Sequence, residues 1–90
     1  MAHADAKALE PFLPLLREFR AVKGLKEVRP GIFYLRGSAF LHFHDEAGVL
    51  SVDLKKPGGS GFDRYAIATP PEQRKLVDAA KLRAARADDD

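Results

Sequence analysis

Residues 40–55 read FLHFHDEAGVLSVDLK, and this stretch decides the fold. From Val49 to Lys55 apolar and polar side chains alternate, which is typical of a β-strand with one buried face. Residues 39–44 also have an extended pattern, and the segment 45–48 between the two runs has the composition of a turn. The stretch therefore predicts an antiparallel hairpin that packs one face against a core.

A four-residue loop in this hairpin sets His42 opposite Ser51 and leaves Asp53 diagonally across from His42. Leu41 then points to the same face as the apolar residues of the second strand, which we expect helices to cover. His42 and His44 lie two residues apart on their strand. Both imidazoles are therefore predicted on the opposite, open face of the sheet.

The strand before this hairpin is predicted over residues 32–36, which are rich in aromatic and β-branched side chains. Two registers are open for the first hairpin, because a two-residue loop pairs Leu35 with Phe40 and a three-residue loop pairs Leu35 with Leu41. A slip of one residue moves every side chain to the other face. We prefer the register that places Phe33 and Leu35 in the core.

A fourth strand is predicted over residues 63–68, and helices are predicted at both ends of the chain. The first helix spans residues 11–22, and its predicted buried face carries Phe12, Leu13, Leu16 and Phe19 in one stripe that begins at Leu9. The second runs from residue 70 to about residue 86, because Thr69 and Glu72 match a capping box. Its buried face is predicted to consist of Leu76, Val77, Ala80 and Ala84.

The predicted order is thus α-β-β-β-β-α, an α+β fold with a four-stranded antiparallel meander and both helices packed on one face. Residues 1–87 are expected to form a single domain. The acidic residues 88–90 are expected to form a disordered tail.

Composition excludes several classes of protein. The 90 residues contain no cysteine, which excludes disulfides, thiolate metal sites and a cysteine nucleophile. No apolar run approaches the roughly 18 residues of a membrane helix, and residues 1–7 lack the apolar core of a secretory signal. We expect a cytoplasmic protein without membrane contact.

The candidate chemistry is the set of His42, His44 and Asp53 on the open face. Two imidazoles and a carboxylate could bind a divalent metal, and no other cofactor is expected. The same residues could form an acid–base pair near neutral pH. The alternative is that the histidines pack and hydrogen-bond as part of the sheet or of an interface, and the sequence identifies no catalytic residue.

Our first hypothesis is a non-enzymatic interaction module that binds a partner or a second copy, as a homodimer, through the open face. The partner-binding residues would be Phe40, His42, His44, Val49 and Ser51. A small metal-dependent or acid–base enzyme is the alternative.

Basic residues suggest two further possibilities. Lys55, Lys56 and Arg64 flank the glycine-rich segment 57–61, but that segment lacks the spacing of a P-loop and is interpreted as a mobile hairpin loop. The second helix is locally basic, and nucleic-acid binding through it is a lesser alternative because the acidic tail offsets its charge. The basic residues of this helix are Arg74, Lys75, Lys81, Arg83 and Arg86.

Three short runs resemble a known group of proteins: RPGIFYLRG at 29–37, AFLHFH at 39–44 and VDL at 52–54. They are similar to the small bacterial α+β domains named "luciferase-like", and the resemblance covers roughly residues 9–55. It implies a helix followed by a hairpin with a histidine-bearing strand. It implies no light-emitting chemistry and no catalytic residue.

Overall fold

The computed structural model describes residues 4–58 and 60–89. Across these residues the chain forms one antiparallel sheet of five strands in chain order, with helices before and after it. The helices are α1 (Ala6–Leu9), α2 (Leu13–Arg20), joined to α1 by a 3-10 turn (Glu10–Phe12), and α3 (Pro70–Asp89). The strands are β1 (Leu25–Arg29), β2 (Ile32–Leu35), β3 (Ser38–Glu46), β4 (Val49–Lys55) and β5 (Phe62–Ala66). The α+β class is confirmed.

The prediction of four strands was wrong, because Leu25–Arg29 forms an additional edge strand paired with β2. Its sequence, LKEVR, is mostly polar, and such residues have low β-propensity. Glu27 is nevertheless half-buried, since it accepts hydrogen bonds from Arg20 (Nε–Oε1 2.6 Å) and from the Gly31 N–H (3.1 Å). The Pro30-Gly31 pair, with Gly31 at φ +76°, is the turn signal that could have revealed the hairpin.

A single core lies between the helices and one face of the sheet. The Phe19 ring of α2 packs edge-on against Phe33 of β2 and Phe43 of β3, with ring centroids 5.8 and 6.2 Å apart. All three rings are fully buried. The predicted buried face of α3 is confirmed, since Leu76, Val77, Ala80 and Ala84 all belong to this core.

The first helix differs from the prediction in its start and in its buried face. Leu15 is buried, whereas Leu13 is 41% exposed. A 3-10 turn advances about 120° per residue instead of about 100°, so three such residues rotate the following helix by about 60°.

The capping box of α3 is confirmed: the Thr69 N–H donates to Glu72 Oε1 (2.9 Å) and the Glu72 N–H donates to Thr69 Oγ1 (3.3 Å).

α3 extends to Asp89, three residues beyond the predicted end, and Asp90 of the predicted tail lies outside the described residues. In residues 4–58 and 60–89, no helix is long and apolar enough to cross a bilayer.

The β3–β4 hairpin has a two-residue turn, Ala47-Gly48, instead of the predicted four-residue loop. Both residues have positive φ, 53° and 87°, as in the turns that match the right-handed twist of paired strands. The register therefore differs by two residues from the prediction. Because side chains alternate with period two, the predicted assignment of faces is preserved. His42 now lies directly opposite Asp53.

The β2–β3 hairpin matches neither predicted register. Arg36 and Gly37 form the turn with positive φ, so Leu35 pairs with Ser38. Phe40 is the extra residue of a β-bulge between the pairs formed by Ala39 and Leu41. Phe33 and Leu35 are both buried, as the preferred register placed them. The bulge also turns Phe40 into the core.

We expect Ala47→Asn to stabilise the protein, because an L-residue other than Asn, Asp or Gly pays about 1 kcal/mol for left-handed backbone. The gain should be about 1 kcal/mol or less in the free energy of unfolding by urea. Ala21→Asn is the matched control, since exposed Ala21 has an ordinary φ of −85°. An equal effect at both positions would contradict this account of the turn.

Candidate functional site

The open face, the side of the sheet opposite the helices, carries four of the predicted site residues: His42, His44, Ser51 and Asp53. His42 and Asp53 face each other across β3 and β4, with His42 Nε2 3.1 Å from Asp53 Oδ2. The structure therefore brings together the histidine and the carboxylate that the sequence placed only diagonally.

Arg64 on β5 lies on the other side of Asp53 from His42, on the same face of the sheet. The sequence did not indicate Arg64 as a partner of Asp53. Its Nε donates to Asp53 Oδ1 (2.8 Å) and its Nη2 donates to Asp53 Oδ2 (3.1 Å). The contact depends on Arg64 lying directly opposite Asp53. No sequence signal gives the register of β5, so the alternation of the strand could have indicated only the face on which Arg64 lies.

The Arg64 guanidinium lowers the pKa of the Asp53 carboxyl below its ordinary value, chiefly through this bidentate hydrogen bond. Burial acts in the opposite direction, and the nearby imidazoles of His42 and His44 add smaller favourable contributions. The Asp53 side chain is only 12% exposed. Its negative charge is therefore held in place by a cation from the neighbouring strand.

His44 has a different partner from His42. Its Nε2 lies 3.3 Å from Oε1 of Glu46, whose side chain is 75% exposed, and Arg64 Nη1 lies 3.7 Å from the same oxygen. The two histidines thus contact different carboxylates. Both acidic groups share Arg64, which links them into one polar network.

The predicted metal ligands gain no support from this geometry. Within residues 4–58 and 60–89, no group of three or more His, Cys, Asp or Glu side chains is arranged to hold a metal ion. Both Asp53 oxygens already accept hydrogen bonds from Arg64. A cation at His42 and Asp53 would have to displace or repel that guanidinium.

The predicted partner-binding set needs one correction. Phe40 is 4% exposed and belongs to the core, so its placement on the open face was wrong. Val49 is exposed at the β3–β4 turn, as expected. The aromatic ring on the open face is Phe62 of β5, which is 40% exposed and packs edge-on against His42 with centroids 5.5 Å apart.

A second site lies at the end of the sheet, where the β2–β3 turn and the segment after β4 meet the last turns of α3. It is a cleft of about 550 Å³, and we call it the basic cleft. Its floor is apolar and includes Leu35, Ala39 and Phe40. Four cationic side chains line the cleft: Arg36, Lys56, Arg83 and Arg86. Lys55 also lines the cleft, but it pairs with Phe62 across β4 and β5, so its side chain lies on the open face and its carbonyl faces Arg83.

Arg83 is the fixed cation of this cleft. It is held by the Lys55 carbonyl (3.1 Å), by the Tyr65 hydroxyl (3.2 Å) and by Asp63 Oδ2 (3.1 Å). Lys56 lies 3.9 Å from the other oxygen of Asp63. One carboxylate thus serves two of the cations.

The remaining cations of the cleft differ in their partners. Arg36 donates through Nη1 to the carbonyl of Ala87 (2.9 Å), which ties the β2–β3 turn to α3. Arg86 forms no ion pair with any side chain in the described part of the chain. The basic cleft therefore holds more positive charge than its described carboxylates balance.

The basic residues of α3 do not form one stripe. Arg83 and Arg86 line the basic cleft, whereas Arg74 and Lys81 line a groove between α2 and α3. There Lys81 Nζ lies 3.8 Å from Glu18 Oε1. Nucleic-acid binding along this helix stays a prediction, and its charges are divided between two surfaces.

Comparison with family models, with curated proteins and with solved structures finds no significant match for this chain. The similarity to luciferase-like domains stays an expectation from the sequence and assigns no residue a role.

We expect Asp53→Asn to lower the melting temperature near neutral pH and to lose this effect in acid. Because the pKa of Asp53 is depressed in the folded protein, its stabilisation is present above the ordinary value of 3.8 and is lost as pH falls below it. Melting curves from neutral pH to about pH 3 test this expectation.

Asp78→Asn is the matched control, since Asp78 is exposed on α3 and pairs with no described side chain. A constant difference between wild type and Asp53→Asn across the whole pH range would show that the charge of Asp53 does not contribute.

Proposed function

We propose that this protein is a non-enzymatic binding module that takes up a small organic anion in the basic cleft. The observation that carries the proposal is the convergence of four cationic side chains from separate segments of the chain around an apolar floor. Like charges repel, so a cluster of this kind is stabilised when a bound anion neutralises it.

The dimensions of the cleft suit a small molecule. Ligand-binding sites generally measure about 300–1,000 Å³ and combine apolar walls with a few polar groups. The basic cleft, at about 550 Å³, lies within that range. Leu35 and Phe40 are themselves buried, so the floor is part of the core and is rigidly supported. An apolar body would rest on this floor while its charged end meets Lys56 and Arg86.

The side chains around the cleft suit binding better than catalysis. Ser38 contributes a hydroxyl, but among the described residues no histidine and no carboxylate lines the cleft with it. A serine needs a neighbouring base to act as a nucleophile. The histidines of the protein that the structure describes, His42 and His44, lie on the open face and pair with Asp53 and Glu46.

Binding of anilinonaphthalene sulfonate, an aromatic monoanion whose fluorescence rises when its ring leaves water, tests the proposal. We expect Lys56→Ala/Arg86→Ala to weaken its affinity at low salt by at least about tenfold, because two charge-assisted contacts are lost. The control is Lys26→Ala/Lys75→Ala, which removes the same charge from exposed positions elsewhere.

Two results would contradict the proposal: no binding by the folded wild type, or equal weakening in both double variants.

A third variant is expected to change the affinity in the opposite direction. Asp88, Asp89 and Asp90 follow the cleft residue Ala87 in the sequence. Their replacement by Asn removes three negative charges near Arg86 along the chain and should tighten binding.

A second candidate function is self-association through the open face, and the exposed Phe62 ring favours it. Phe62 stands beside a network that presents both Arg64 and Glu46 to solvent. In a two-fold dimer the same surface meets itself, so a patch with both charge signs can be self-complementary. The expected occupant is a second copy of this chain.

Sedimentation equilibrium distinguishes this candidate. We expect wild type to form dimers at high micromolar concentration and Phe62→Ser to shift the equilibrium to monomers. Leu82→Ser serves as the control, because Leu82 is even more exposed than Phe62, 54% against 40%, but lies on α3. A wild type that stays monomeric, or a loss of dimers in both variants, would overturn the candidate.

A further inference from the structure

We infer that the ligand of the basic cleft is a phosphate monoester with an apolar organic group, bound as its dianion. This inference rests on the proposed function and narrows it to one chemical class. It follows from the number of cations around the cleft, from the donors they leave available and from the apolar floor.

The charge around the cleft exceeds what a monoanion neutralises. Arg83 and Lys56 share the single carboxylate of Asp63, and Arg86 pairs with no side chain in the described part of the chain. Three cations against one carboxylate leave two positive charges uncompensated. A carboxylate or a sulfonate offsets one of them, whereas a phosphate monoester carries about −1.5 to −2 at pH 7.

The available donors also suit a group with three oxygens. Arg83 is committed to the Lys55 carbonyl, to Tyr65 and to Asp63, so it contributes mainly its charge. Lys56 lies in the segment after β4 and Arg86 on α3, so these two cations reach the cleft from separate segments and can approach an anion from different sides. A tetrahedral phosphate offers an acceptor in each of these directions, and a planar carboxylate does not.

The floor excludes inorganic phosphate as the preferred ligand. Leu35, Ala39 and Phe40 lie beneath the cations, and Pro57 adds apolar surface at the rim. Covering this surface requires an organic group, whose burial adds a favourable hydrophobic contribution. An aryl group supplies such apolar surface with little loss of conformational freedom.

A phosphodiester polymer fits less well. Each backbone phosphate of a nucleic acid carries a single charge, and a polymer needs a continuous row of cations. The other cations of α3 are turned away from the cleft, with Lys81 facing Glu18 across the groove to α2. The cations of the basic cleft are concentrated at one point, which suits one multiply charged group.

Phenyl phosphate and methyl phenyl phosphate are the matched probes, since they share the ring and the phosphorus but differ in the second ionisation. By calorimetry we expect phenyl phosphate to bind at least about tenfold more tightly at pH 7.5, and the preference to shrink toward pH 5 as the monoester takes up a proton near pH 6. The methyl ester should bind with little dependence on pH. Asp63 is the carboxylate paired with these cations and no described histidine lines the cleft, so the ligand is the group that titrates in this range.

The variants introduced above separate the possible outcomes. Lys56→Ala/Arg86→Ala should abolish the preference for the monoester, and Lys26→Ala/Lys75→Ala should retain it. Equal binding of the two probes would overturn this inference and leave the proposed function standing. Failure of both probes and of anilinonaphthalene sulfonate to bind would overturn both. Tighter binding of an oligonucleotide without a terminal phosphate would overturn the inference in favour of a polymer.

Discussion

The pairing of β3 with β4 determines where the functional side chains of this protein lie. The turn at Ala47-Gly48 sets the pairing, and Leu41 to Glu46 then lie opposite Leu54 to Val49. On β3 the odd-numbered positions 41 and 43 are buried against the helices, and the even-numbered positions 42 and 44 face the open side. The same strand pairing fixes the position of Lys55 at the end of β4, and Lys55 is one of the residues that line the basic cleft. A two-residue turn with left-handed backbone therefore governs both sites.

The two charged sites differ in how their charges are balanced. On the open face Asp53 accepts two hydrogen bonds from Arg64 and lies within ion-pair distance of His42, so a nearly buried charge is fully partnered. Such an arrangement stabilises the sheet and leaves few groups available for a ligand. In the basic cleft, Arg83 and Lys56 share one carboxylate, and Arg86 pairs with none that the structure describes. The satisfied network is expected to be structural, and the unbalanced one is expected to bind.

Sequence reasoning could predict properties that depend on period and on local caps. The alternation around His42 and His44 gave the correct faces even though the loop length was wrong, because an error of two residues preserves the parity of a strand. Thr69 and Glu72 form a capping box because that motif involves only neighbouring residues. The class of the fold follows from the same local patterns.

Other features depend on contacts that the sequence does not specify. Phe40 lies in the core because of a bulge in β3. The sequence did not indicate β1, because Glu27 is half-buried through hydrogen bonds with Arg20 and Gly31. The cleft brings together residues from β2, β3, β4 and α3, so no single motif contains it. The interpretation of the segment after β4 as a plain loop overlooked Lys56 as part of a larger cluster.

Titration of the protein with phenyl phosphate, followed by the amide ¹H–¹⁵N chemical shifts of each residue, tests most directly whether the basic cleft is the binding site. Binding in the cleft should concentrate the shifts at Arg36, at residues 55–58 and at Arg86, and should leave His42 and His44 unchanged. Shifts concentrated on the open face around His42 and Asp53, or no saturable shifts in the folded protein, would contradict it.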